Sequence, residues 1–131
     1  MPEEIQRFRY QGPAGPGGRD AAEGRKSFPM CQTENVISTV QIFEPGVGNR
    51  LHFHGTEDGY WFVLGGQATF YGEGDRVYAV LNKHEGLLMP ARNRYYFKCS
   101  SEQPLEILRV NYQVQALLSE QKEKEKAAAT A

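Results

Sequence analysis

From residue 36 to residue 113, apolar and polar positions alternate in short runs, each stopped by glycine, proline, asparagine or aspartate. The stretch "TENVISTVQIFEPG" supplies Val36, Ile37, Val40, Ile42 and Phe43, β-branched or aromatic, before a Pro45-Gly46 turn signal. "RLHFH" alternates strictly, so on a strand Arg50, His52 and His54 share one face while Leu51 and Phe53, ill-suited to water, share the other. "GYWFVL" and "QATFYG" read as two strands broken at Gly65-Gly66. "RVYAVL", "LLMP", "RYYFKCS" and "LEILRVNYQV" follow. Strand signals recurring at intervals of roughly 8–12 residues predict an all-β sandwich or barrel.

The two ends differ from this rhythm. "YQGPAGPGGRDAAEGRK" is rich in glycine and proline and poor in apolar side chains. Alone it buries too little surface to offset its ordering entropy, so residues 1–30 are expected to form an arm or long loop that lies across the barrel or reaches a second subunit. The barrel is assigned to 31–114. "ALLSEQKEKEKAAAT" has high helix propensity and alternating charge, which predicts a short helix within a charged, fraying tail over 115–131.

Composition narrows the function classes. A chain of 131 residues, 40% hydrophobic, suffices for one domain with one core. Fifteen lysines and arginines against sixteen acids leave a net charge of −1, without the basic footprint of a nucleic-acid binder. No run approaches the roughly 20 apolar residues of a membrane span. "MPEEIQRFRY" lacks the apolar segment of a secretory signal, so the expectation is a cytoplasmic protein in which Cys31 and Cys99 stay free thiols.

The candidate chemistry lies in "GNRLHFHGTEDGYWFVLGG". If the face carrying His52 and His54 points into a barrel, the two imidazoles converge in a desolvated space, where a divalent ion would give each a partner. Glu57 and Asp58 follow closely enough to add a carboxylate, and two histidines plus one carboxylate suit iron, manganese, nickel or zinc. Strand alternation leaves the choice of acid open: Tyr60 and Phe62 turn inward with Asp58, or Trp61 and Val63 with Glu57. Arg50 shares the histidine face, Arg109 and Asn111 share one face of the last strand, and Arg92 lies in the connection before Tyr95. Guanidinium groups there would suit an anionic substrate. His84, in the turn "NKHEG", belongs at a rim rather than in the site.

These motifs resemble those of the cupin superfamily. Gly46, then five residues, then His52-x-His54, an acid and a closing Gly65 or Gly66 look like its first motif, and "HEGLLMPARNRYYF", with Pro90, like its second. The resemblance covers roughly residues 36–112. It implies a double-stranded β-helix, a small jelly-roll barrel with a central site, commonly dimeric. One departure stands out: where the second motif usually places a histidine, this chain has Tyr95. A phenol with an ordinary pKa near 10 ligates divalent ions poorly at neutral pH, yet it can donate a proton. Three readings follow: a metal-dependent oxygenase, isomerase or lyase acting on a small polar substrate; a metal-free isomerase, epimerase or dehydratase using His52 or His54 as base and Tyr95 or Tyr60 as acid; and a non-catalytic small-molecule sensor. A homodimer is expected, from the resemblance and from the apolar segment "NVISTVQIF", whose edge would otherwise invite uncontrolled pairing.

Overall fold

The computed structural model describes residues 2–130. Most of the alternating runs form strands. In chain order these are β1 (Arg19–Ala22), β2 (Arg25–Gln32), β3 (Val36–Phe43), β4 (Glu57–Gly65), β5 (Ala68–Tyr71), β6 (Val77–Leu81), β7 (Gly86–Met89), β8 (Tyr96–Cys99) and β9 (Leu105–Gln113), followed by helix α1 (Gln115–Thr130). They form two antiparallel sheets, one ordered β1-β2-β3-β9-β4-β7 and the other β6-β5-β8. The main core lies between the sheets. Phe97 sits at its centre, with ring centroids 4.9 Å from Phe43, 4.7 Å from Trp61 and 4.9 Å from Phe70. Val63, Leu105 and Ile107 are fully buried around it. The break between β4 and β5 depends on Gly66, whose φ of +76° is left-handed and whose missing side chain leaves room for Leu105 Cα.

The N-terminal segment corrects the expected arm. Residues 19–22 and 25–32 are strands β1 and β2, and β2 pairs with β3 from Arg25↔Phe43 to Gln32↔Ile37. Phe28 is buried with Val40 and Ile42 in a second apolar cluster on the outer face of the larger sheet. Tyr10 covers this cluster, its ring edge-on to Phe28 at 5.3 Å. Gln6 exchanges two hydrogen bonds with the Gln32 backbone. Low apolar content concealed these strands, because one phenylalanine and one tyrosine suffice when the sheet beside them supplies the remaining surface. β3 is therefore an inner strand paired on both sides, by β2 and β9, and the argument for a dimer from its free edge falls.

The segment "RLHFH" is not a regular strand. Residues 46–54 nevertheless run antiparallel to 92–99 through a ladder of backbone bonds: Gly46 N to Cys99 O (3.0 Å), Asn49 N to Phe97 O (3.1 Å), His52 N to Tyr95 O (3.0 Å) and Arg92 N to His54 O (2.8 Å). Regular pairing is interrupted where the Asn49 side-chain oxygen, instead of a backbone carbonyl, accepts from Phe97 N at 2.7 Å. Leu51 and Phe53 turn outward, about half-exposed, and the Arg94 guanidinium lies over the Phe53 ring at 5.4 Å. A cation over a ring face makes that exposure tolerable.

Helix α1 carries no buried residue. It begins where Val114 N donates to Thr56 O, and it is tied back by Glu120, 3.5 Å from Arg92. It is too short and too charged to cross a membrane, and no other helix among the described residues is long and apolar enough. Cys31 and Cys99 are both free.

Because Phe28 holds the N-terminal hairpin to the larger sheet, Phe28→Ala is expected to cost about 3–5 kcal/mol, the range for removing a buried aromatic ring. Urea unfolding measures this; a loss below about 1 kcal/mol would place residues 19–32 outside the cooperative fold.

Candidate functional site

Strand alternation settles which side chains face the interior. On β4, Trp61 and Val63 are buried, so Glu57 and Gly59 share their face, while Tyr60 is outward and 45% exposed. On β9 the inward row runs through Ile107, Arg109 and Asn111, with Arg109 opposite Trp61 and Asn111 opposite Gly59. A side chain at residue 59 would strike Asn111 Oδ1, so the glycine there leaves room for the asparagine. The result is a polar chain along one wall. Arg109 Nε donates to Asn111 Oδ1 (3.1 Å), Asn111 Nδ2 donates to Glu57 Oε1 (3.2 Å), and the same Glu57 oxygen lies 3.6 Å from His54 Nδ1.

The opposite wall is the ladder of 46–54. It brings His52 directly across from Tyr95, with ring centroids 4.6 Å apart. His54 is 5.2 Å from His52 and 6.3 Å from Tyr95. Between the walls lies a cavity of about 170 Å³, lined by both histidines, Trp61 and Arg109. Arg25, Gln41 and Asn49 complete the lining. The two imidazoles thus border the same partly open space.

Each imidazole is oriented through Nδ1. His52 Nδ1 lies 2.6 Å from the Arg50 carbonyl oxygen, which can only accept, so Nδ1 carries hydrogen and Nε2 is left for other work. His54 Nδ1 faces the Glu57 carboxylate, which favours the proton on that nitrogen. His54 Nε2 is buried without a hydrogen-bond partner. Desolvation lowers the His54 pKa below its ordinary 6.5, with Arg109 and His52 adding to the effect and Glu57 opposing it. Its contact with Glu57 is therefore not an ion pair at neutral pH. Tyr95 is 2% exposed. Burial raises its pKa above 10, partly offset by Trp61 and Arg109 and reinforced by Glu57, so the phenol keeps its proton.

Other expected site residues lie elsewhere. Asp58 Oδ1 accepts from Ala91 N at 2.8 Å and fastens the turn after β7, which removes it as an inward ligand. Tyr60, on the outer face, is removed as an acid. The Arg50 side chain is exposed, and Arg92 pairs with Glu120 and bonds Gly55 O, so neither lines the cavity. His84 stacks on Phe62 at 6.3 Å, away from the site as anticipated. Sequence reasoning missed Arg25, Gln41 and Asn49. Gln41 left a signal, a polar residue between Val40 and Ile42 in a strand otherwise rich in apolar side chains.

A divalent ion was tested against these donors. Two imidazole Nε2 atoms are available, but Glu57 is turned toward His54 Nδ1 and Asn111, and Asp58 is engaged at the turn. Among the described residues no group of three or more His, Cys, Asp or Glu side chains gathers as a metal-ligand set. The residues fit an ion held by two imidazoles, not the arrangement of two histidines and one carboxylate.

No protein-family model and no curated protein matches this sequence. Solved structures do. An RmlC-like cupin from Shewanella frigidimarina superposes with a TM-score of 0.69 at 13% identity, over 84% of this chain and 93% of that one. KdgF from Halomonas gives 0.64 at 17% identity, over 73% and 86%. TT1209 from Thermus thermophilus gives 0.62 at 22% identity, over 73% and 90%. At these identities the likeness speaks for architecture alone. Together with the two antiparallel sheets and the buried interior between them, it gives this chain the double-stranded β-helix barrel of the cupins.

Proposed function

We propose that this barrel is a small enzyme that moves a proton on carbon within its interior, with His54 as base and Tyr95 as acid. The observation that carries the reading is the buried, unpartnered Nε2 of His54, whose ring centre lies 6.3 Å from that of a phenol whose environment holds its proton. Two titratable groups with pKa values pushed apart are the arrangement acid–base catalysis uses. His54 Nε2 takes a proton from a carbon next to a carbonyl. The C–H electron pair moves into the carbonyl, and the Tyr95 O–H donates to the oxygen that gains charge. On an α-hydroxy carbonyl, returning the proton to the former carbonyl carbon while the α-hydroxyl proton passes to Tyr95 gives an isomer; expelling a β-substituent, which leaves with the proton held by His54 while the enol proton returns to Tyr95, gives a lyase. Glu57 holds the His54 tautomer.

A second reading keeps a divalent ion (iron, manganese, nickel or zinc) on His52 and His54. The observation favouring it is that both Nδ1 atoms face an outer oxygen, Arg50 O and Glu57, as metal-bound histidines do. When bound, such an ion would polarise a substrate oxygen or activate dioxygen. We also propose a homodimer, formed through the outer row of Tyr60, Leu88 and Tyr112, which are 45%, 65% and 50% exposed on neighbouring strands.

The test is hydrogen exchange at carbon, followed by NMR in D2O with small carbonyl compounds, neutral (hydroxyacetone) and anionic (pyruvate). Wild-type protein treated with chelator is expected to catalyse exchange, and His54→Gln to reduce it by about 10²–10⁴-fold, the usual contribution of a general base. Tyr95→Phe is expected to slow exchange while leaving the fold intact. Exchange that disappears with chelator, together with one equivalent of metal lost from a His52→Ala, His54→Ala double variant, would favour the second reading.

The pH dependence has a definite sign. A lowered pKa keeps His54 unprotonated to more acidic solution, so the acid limb of kcat/KM for exchange is expected below pH 6.5. A limb at or above 6.5 would contradict the assignment of His54 as base. Stability follows the same linkage. The contribution of neutral His54 is present above the unfolded pKa and lost as pH falls through the folded one.

A further inference from the structure

Two arginines enter the cavity, and no carboxylate neutralises either of them. Among the described residues, neither Arg25 nor Arg109 has an Asp or Glu oxygen within ion-pair distance. Arg109 spends its Nε on Asn111, which leaves the two terminal nitrogens of its fork. Each guanidinium lies over an aromatic face, Arg25 over Phe43 at 4.9 Å and Arg109 over Trp61 at 5.8 Å. Stacking fixes the plane of the fork and lowers the entropy lost when it grips a ligand.

The register shows that the two arginines stand on one face of the larger sheet. Arg25 pairs with Phe43 on β3, and Arg109 pairs with Thr39. Gln41 lies midway between those rows, and all three side chains line the same cavity. Two long cationic side chains from β2 and β9, on either side of β3, thus border one space. Histidines on the far wall add no negative charge, and Glu57 is occupied by Asn111 beside His54. Such a space is built for an anion.

We infer that the ligand of this cavity is a small carboxylate of two to four carbons, clamped between Arg25 and Arg109 with its carbon skeleton toward His54. The size is matched to the cavity, about 170 Å³, which is small for anything larger. This rests on the preceding reading only in taking the cavity as the working site; it adds the substrate class and assigns Arg25, on the inner strand of the N-terminal hairpin, as a specificity residue. A planar carboxylate matches a guanidinium fork with two parallel hydrogen bonds, and Gln41 and Asn49 supply neutral donors beside it.

The experiment measures binding and exchange separately. Malonate and its neutral analogue malonamide are titrated by calorimetry into wild type, Arg25→Gln, Arg109→Gln and, as a charge control on the exposed face of α1, Lys122→Gln, with thermal melts confirming each fold. Malonate is expected to bind wild type and Lys122→Gln alike, each arginine variant to weaken it by about 10- to 100-fold, and malonamide to bind weakly to all four. Arg109→Lys is expected to recover only part of the loss, because it restores charge without the fork. Equal binding of malonamide and malonate, or malonate binding unchanged in both arginine variants, would overturn the clamp. Exchange of hydroxyacetone but not pyruvate would sink the clamp and leave the acid–base reading standing. Arginine-dependent malonate binding with no exchange on either compound would do the reverse.

Discussion

The site depends on one ladder of backbone hydrogen bonds, that between residues 46–54 and 92–99. Without it the His52–His54 segment would be a loop over the barrel mouth, free to turn its imidazoles into water. With it, the His52–Tyr95 bridge fixes both chains at one height, with His52 N to Tyr95 O at 3.0 Å and Tyr95 N to His52 O at 2.9 Å. Arg92 N bonding His54 O then fixes the next level. The segment is too irregular to be a strand by itself, and its position comes from its partner. Gly48 belongs to the same constraint, since a side chain there would run into the Phe97 carbonyl.

That constraint explains the electrostatics of the interior. A histidine held on a buried wall beside Arg109 pays for protonation twice, in lost hydration and in like charge, and so remains neutral. Tyr95, held on the same wall with almost no exposure, keeps its proton for the first of these reasons. Glu57 is the single carboxylate beside these groups, and it is shared between His54 and Asn111. Its charge is too committed to balance Arg25 and Arg109 as well. The interior therefore carries both an unpartnered basic nitrogen and two arginines without a carboxylate partner.

The sequence made the barrel legible because strand alternation is a local property. From β3 onward the runs bounded by turn residues became strands, and the inward row Arg109–Asn111 was readable by counting alternate positions. The N-terminal hairpin was not legible. Its single buried aromatic, Phe28, gains its value from Val40 and Ile42 on a neighbouring strand, and that pairing has no local signature. Arg25 was missed for the same reason. The choice between Glu57 and Asp58 turned on unbroken alternation from Glu57 to Trp61 and Val63 and on a turn amide, Ala91 N, that captures Asp58. Leu51 and Phe53 show the converse error: apolar character suggested burial, whereas the ladder needed the other face inside.

The central claim is that His54 is a neutral imidazole whose buried Nε2 has no hydrogen-bond partner. Nitrogen-15 NMR of the histidine side chains, followed through a pH titration, reads both the tautomer and the protonation of this ring. The account predicts hydrogen on Nδ1, a bare Nε2 and a titration midpoint below 6.5, with the Nε2 signal shifting when pyruvate is added. Hydrogen on Nε2, or a midpoint at or above 6.5, would contradict it.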